Sequence, residues 1–152
     1  MRKPEKEITS LSEIEDVIRR AKTCRVALCD NSLPYVIPVC YGYEDKALYF
    51  HCAPEGRKLD IIRTNNDVCF QMDTDVEFRE SQPACSWSLK YRSVVGRGKA
   101  EVLKEKKGKL EALHVIMRHY SSQVYKMDEK KLNALTIVKI TVYELIGKKS
   151  GW

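Results

Sequence analysis

The chain has 152 residues, 27 Lys/Arg against 21 Asp/Glu, and a formal net charge of +6. That length lets one domain, residues 1–152, bury a core without metal or disulfide staples. No stretch reaches the roughly 18 apolar residues that a membrane-spanning helix needs. The opening Met1-Arg2-Lys3-Pro4-Glu5-Lys6-Glu7 has no apolar core behind its charges, so a cytoplasmic protein is expected.

In chain order, Ser10-Leu11-Ser12-Glu13 has capping-box spacing, and Leu11, Ile14, Ile18 and Ala21 follow on one helical face. Thr23 to Cys29 alternates as a strand, and Asp30-Asn31-Ser32 reads as a turn. Strands are expected at Tyr35 to Tyr43 and Ala47 to His51, completing a three-strand meander. A short helix over about residues 56–64 leads to Val68, Phe70, Met72, Thr74, Val76 and Phe78 alternating on one face. A long strand from about Trp87 to Leu103 carries Gly96 and Gly98, which mark a bulge or a sharp bend. A helix with Leu110, Leu113, Met117 and Tyr120 on its stripe follows, then a short helix over Asp128 to Leu135. A closing strand runs from Thr136 to Ile146. The expected fold is mainly β (β+α): a six-stranded antiparallel barrel with peripheral helices. Helices fail to alternate with strands, which excludes a doubly wound parallel sheet.

Charge is uneven, with residues 1–78 at −3 and residues 79–152 at +9. A basic half invites a phosphate or nucleic-acid partner. Its densest run, Lys104-Glu105-Lys106-Lys107-Gly108-Lys109, opens a predicted helix, is interrupted by acid and reads as a solvated face. No nucleic-acid-binding motif accompanies it. The six cysteines form no C-x-x-C pair, and Cys24 and Cys29 point to opposite faces of one strand. Cys40, Cys52 and Cys69 read as small hydrophobes in strand contexts, and no metal site is expected. Gly96-Arg97-Gly98 lacks the third glycine of a dinucleotide loop, and Gly147-Lys148-Lys149-Ser150 has no helix behind it. His114 and His119 lie about 140° apart around a helix and read as surface residues.

One stretch has more chemistry. In Leu48-Tyr49-Phe50-His51-Cys52-Ala53-Pro54-Glu55-Gly56-Arg57-Lys58, a strand opens into a helix with cations in its first turn. Pro54 is read as preparing that helix start. Free amides, the helix dipole and two cations would together attract a phosphate. Glu55 could satisfy the same donors, so phosphate binding and ordinary surface charge both stand. His51 is either a functional side chain or a capped strand-end histidine.

These residues resemble the pyridoxamine phosphate oxidase-like split barrels that bind flavin mononucleotide (FMN), in particular their nitroimidazole-resistance branch. The likeness is carried by Cys24-Arg25-Val26-Ala27-Leu28, Pro34-Tyr35-Val36-Ile37-Pro38-Val39, Leu48 to Ala53, Gly56-Arg57-Lys58 and Trp87 to Gly96, in order over about residues 5–125. The resemblance implies a homodimer with FMN in clefts between subunits. Arg57 and Lys58 would hold the phosphate. Pro38, Val39 and Cys40 would lie along the ring, with Arg25, His51 and Cys52 near the cofactor and His51 the candidate catalytic residue. Tyr91, Arg92 and Ser93 would come from the partner subunit. The sequence closes on Lys149-Ser150-Gly151-Trp152, without the arginine-containing segment that true pyridoxamine phosphate oxidases use for substrate. The resemblance to the nitroimidazole-resistance branch implies electron transfer from reduced flavin to the nitro group of a small aromatic substrate, with a nicotinamide as the expected electron donor. The alternatives are a non-catalytic flavin- or haem-binding protein and a basic nucleic-acid-binding barrel.

Overall fold

The computed structural model describes residues 3–123, 125, 132 and 134–152. Among them lie eight strands, β1 (Glu7–Ile8), β2 (Cys24–Asp30), β3 (Leu33–Val39), β4 (Tyr41–Glu44), β5 (Ala47–Cys52), β6 (Asp67–Arg79), β7 (Ser88–Val102) and β8 (Thr136–Ser150). Three α-helices accompany them, α1 (Leu11–Arg20), α2 (Arg57–Thr64) and α3 (Lys106–Tyr120). The hydrogen-bonded order is β3-β2-β6-β7-β8-β5-β4, with β1 added to β8 and every pair antiparallel. β3 and β4 stand at opposite ends of that path, yet only Cys40 separates them in the chain. The sheet is therefore rolled until its ends meet, as a split barrel.

The expected count of six strands is corrected to eight. β1 is one addition; the other comes from dividing the run Tyr35 to Tyr43. Val39 pairs with Cys24 of β2, whereas Tyr41 pairs with Phe50 of β5, so the chain changes partners at Cys40. Nothing in the alternation of side chains marks that change, because both partners are distant in sequence.

The barrel interior is filled by inward residues of β2, β4, β5, β6 and β8, including Val26, Tyr41, Leu48, Phe50, Phe70, Met72 and Ile140, all buried. Val17 and Ile18 of α1 and Leu59 of α2 join this core. A Cβ on Gly96 would intrude on the Phe70 ring, and the β7–β8 register shifts between Arg97 and Gly98, so the paired glycines serve close packing and a bulge. On the other side of β5 and β8, α3 packs Ala112, Leu113 and Ile116 against Ile137 and Leu132. Its buried face also includes Val115, so the expected stripe is rotated and keeps only Leu113 among its buried members. Most of the helix expected over Asp128 to Leu135 lies outside the described residues. Ser10 precedes α1 but makes no capping bond; its hydroxyl meets that of Ser12 at 2.8 Å.

Beyond Met72 the β6–β7 hairpin leaves the core. Its register slips between Thr74 and Glu77, with Asp75 at a φ of 57°, and Val76, Phe78, Trp87 and Leu89 are exposed. Asp75 takes Arg20 at 2.7 Å and Arg92 at 2.9 Å, which holds its carboxyl below the ordinary range, Arg20 contributing most.

The last carbonyls of a helix lack intrahelical partners. At the end of α1, three side chains collect such groups. The Tyr41 hydroxyl donates to the Ile18 carbonyl at 2.6 Å, and His119 Nε2 donates to the Ala21 carbonyl at 2.8 Å. The Tyr120 hydroxyl donates to the Lys22 carbonyl at 3.2 Å. His119 is thus no surface residue: its ring lies 4.3 Å from that of Tyr41 and 4.7 Å from that of Tyr120. Burial, followed by the charge of Lys22, lowers its pKa, while the Ala21 bond opposes the shift. The unfolded chain then binds the proton more readily. This stability is present above the ordinary value of about 6.5 and is lost as pH falls through the lowered one. The melting temperature is expected to fall by about 2–4 °C for each kcal/mol lost as pH drops from 7 toward 5. His119→Gln should flatten that part of the curve. An identical slope in the variant would show that His119 does not cause it.

Candidate functional site

β5 runs into a loop and then into α2, which begins at Arg57 with Gly56 as the residue before it. Pro54 lies outside the helix, so the expected role of proline at the first helical position is corrected: Gly56 makes the entry, at a φ of 130° that disfavours any side chain. The Gly56 carbonyl accepts the Leu59 amide at 2.9 Å. A Cβ on Gly56 would meet nothing within 4 Å, so the space above the helix start is open.

Arg57 is held from one side only. Its Nε and one terminal nitrogen reach Asp30 at 3.2 Å, its guanidinium lies 5.1 Å from the Tyr35 ring centre, and its side chain remains 57% exposed. Lys58 has no carboxylate within ion-pair distance among the described residues, and its charge opposes the upward shift that burial gives the Cys52 thiol. Two cations, first-turn amides and open space suit a phosphate dianion. Glu55 is exposed in the preceding loop.

Cys40 and His51 stand one position beyond the Tyr41–Phe50 pair, where the β3–β4 crossover meets the end of β5. His51 is exposed, pairs with Ile137 in the β8 ladder and shares its face with Tyr49. Cys52 faces the barrel and packs against the core. Cys40 is exposed between strands and is no buried hydrophobe. Cys24 is buried and Cys29 exposed, as their spacing on one strand predicts.

Pro38 pairs with Arg25, and Arg25 with Gln71, across β3, β2 and β6. Arg25 reaches Asp73 at 3.1 Å on the outer face of the sheet. Beside it, Tyr91 and Ser93 line an open hollow of about 380 Å³ with Gln71, Asp73, Leu89 and Lys148. Arg92 points the other way, to Asp75 and to Glu13 at 3.8 Å, with Trp152 at 3.8 Å over its guanidinium. Within one chain, then, Cys40 and His51 are exposed near the crossover, Arg57 and Lys58 open α2, and Val39 and Cys52 pack against the core. Pro38 shares the outer face with Arg25, beside the hollow that Tyr91 and Ser93 line, and Arg92 belongs to neither group. Sequence reading missed Gln71, Asp73 and Lys148 in the hollow, and Tyr120 beside Cys40. Alternation could have found the first two, since they share the outer face of β6.

Among the described residues no three His, Cys, Asp or Glu side chains gather as a metal site, and no helix is long and apolar enough to cross a membrane.

A family profile described as pyridoxamine 5'-phosphate oxidase matches residues 10–149. The chain belongs to this family. It is 32% identical to a candidate 5-nitroimidazole antibiotic resistance protein from Bacteroides thetaiotaomicron, covering 93% of this chain and 85% of that one, with a TM-score of 0.84. A FAD- and haem-binding protein from Mycobacterium smegmatis matches at a TM-score of 0.85 and 17% identity, covering 97% and 74% of the two chains. A FAD-binding protein from Mesorhizobium loti matches at 0.67 and 24%, covering 93% and 96%. At those two identities the likeness concerns the fold alone. The chain is also 28% identical over 101 residues, 66% of its length, to an uncharacterised protein of Rhizobium meliloti, and that match spans 60% of the relative.

Proposed function

We propose that the protein is an FMN-dependent oxidoreductase of small aromatic molecules, with nitro compounds as the substrate class. The observation that most supports this is the pair of cations, Arg57 and Lys58, at the open start of α2, which follows the strand that carries exposed His51. It occurs in a chain 32% identical to a protein named for 5-nitroimidazole resistance. Bound FMN would supply the electron transfer from a nicotinamide donor to the nitro group. The chain's own residues hold and orient. Arg57 and Lys58 neutralise the phosphate, the β3–β4 crossover offers backbone to the ring, and exposed His51 orients substrate or ring.

The outer face supports the homodimer. Phe78 is 58% exposed and Leu89 48%; Leu89 lines the hollow with Tyr91 and Ser93, and Phe78 is its cross-strand partner. Exposed apolar groups of this size mark an interface, and a second copy would bring its Tyr91 and Ser93 toward the flavin. Phe78→Glu with Leu89→Glu is expected to give a monomer by sedimentation and to weaken FMN binding about tenfold or more. A dimeric double variant would remove this face from the interface.

The second reading is a flavin or haem carrier without turnover, favoured by the fold shared with the FAD- and haem-binding protein. A nucleic-acid-binding barrel is less favoured, because second-half cations such as Arg97, Lys99 and Lys139 are spent on Glu144, Asp67 and Glu101. The test is anaerobic: the flavin band should bleach on adding a nicotinamide donor and recover on adding a nitroaromatic. Bleaching without recovery counts against nitro compounds, and no bleaching favours the carrier.

A further inference from the structure

We propose that Tyr120 is a positioning residue for the flavin site, setting the β3–β4 crossover against the cofactor ring; this rests on the FMN reading above. Two partners of one hydroxyl carry the inference. It accepts the Tyr41 amide at 3.0 Å and donates to the Lys22 carbonyl at 3.2 Å. Cys40 lies between the last β2–β3 pair and the first β4–β5 pair, so neither ladder registers it. The Tyr120 hydroxyl fastens the next residue, Tyr41, from outside the sheet. Its own anchor is the link between α1 and β2, which leads into Cys24, the partner of Val39. The crossover is thus held on both sides of Cys40: by Val39 on β2 and by Tyr41 on Tyr120. Tyr120 is the last residue of α3 and is 39% exposed.

His119 supplies the internal control. It fastens the same end of α3 to the same end of α1 through the Ala21 carbonyl and its ring lies against that of Tyr41, but no hydrogen bond links it to the Tyr41 amide. A role limited to holding α3 in place would make the two residues equivalent. A positioning role would not.

The experiment compares wild type, Tyr120→Phe and His119→Gln by three readouts: FMN titration, the visible spectrum of bound FMN, and amide exchange of Tyr41 in the cofactor-free protein. Tyr120→Phe keeps the ring and removes the acceptor, and losing one such hydrogen bond corresponds to about a tenfold change in an equilibrium. The expected result is an FMN Kd raised about tenfold, a displaced flavin band and faster Tyr41 exchange. His119→Gln should lower the melting temperature with Kd and spectrum unchanged. Wild-type Kd and spectrum in Tyr120→Phe would overturn the proposal, as would equal changes in both variants. A wild-type protein that takes up no FMN would overturn the flavin reading and this inference with it. Faster Tyr41 exchange in that case would leave Tyr120 only a structural part of the fold.

Discussion

Arg57→Ala combined with Lys58→Ala is expected to cost the protein its flavin while leaving the barrel folded. Each hydrogen bond to a charged group contributes about 1.5–3 kcal/mol. Removing two such bonds at once should raise the FMN Kd by at least about 100-fold. The fold has little at stake in either side chain. The Arg57–Asp30 pair is exposed, and such pairs contribute about 0–1 kcal/mol. Stacking of the guanidinium on Tyr35 adds about 0.5–1 kcal/mol. Lys58 follows Gly56 and Arg57 at the solvent end of α2, while the buried face of that helix is Leu59, Ile61 and Ile62. Thermal melting should therefore move by only a few degrees. A double variant with wild-type FMN affinity would reduce these cations to ordinary surface charge. One that unfolds would show that α2 depends on them, contrary to the packing seen here.

Gly42→Ala has the larger expected effect on stability. A Cβ at that position would lie 2.5 Å from the Val115 carbonyl carbon and 2.6 Å from the Ile116 amide nitrogen. Both are backbone atoms in the middle of α3, so no side-chain rotation relieves the clash. The helix must move away from β4, and Ala112, Leu113 and Ile116 lose part of their packing with it. Overpacking of this kind costs about 1–3 kcal/mol, so the melting temperature should fall by about 2–12 °C. The same displacement draws Tyr120 from the Tyr41 amide, so weaker flavin binding should accompany it. Gly108→Ala is the comparison: a Cβ there meets nothing within 4 Å and should stabilise the first turns of α3 by about 0.5–1 kcal/mol. A Gly42→Ala protein as stable as wild type would mean that α3 does not press on β4.

The local elements were legible where their signals are local. The alternation of Val68, Phe70 and Met72 identifies a core-facing strand, and these three are buried. Gly96 and Gly98 announce the bulge in β7. The cations after Gly56 mark the start of α2. What was not legible depends on partners far away in sequence. The break at Cys40 follows from pairing with β2 on one side and β5 on the other. Val76 and Phe78 continue the pattern of Met72 and yet face solvent, because alternation reports a face and not what covers it. His119 reads as helix surface because its partner, Ala21, lies 98 residues earlier. Arg92 sits beside Tyr91 and Ser93 in sequence, but strand alternation turns it to Asp75 and Glu13.

Titrating the purified protein with FMN, followed by its visible spectrum, tests the central claim most directly. Stoichiometric uptake of one FMN per chain, with bound-flavin bands and FMN recovered unchanged on denaturation, is the predicted result. A colourless protein that leaves the spectrum of added FMN untouched would contradict it, and Arg57 and Lys58 would then be surface charge alone.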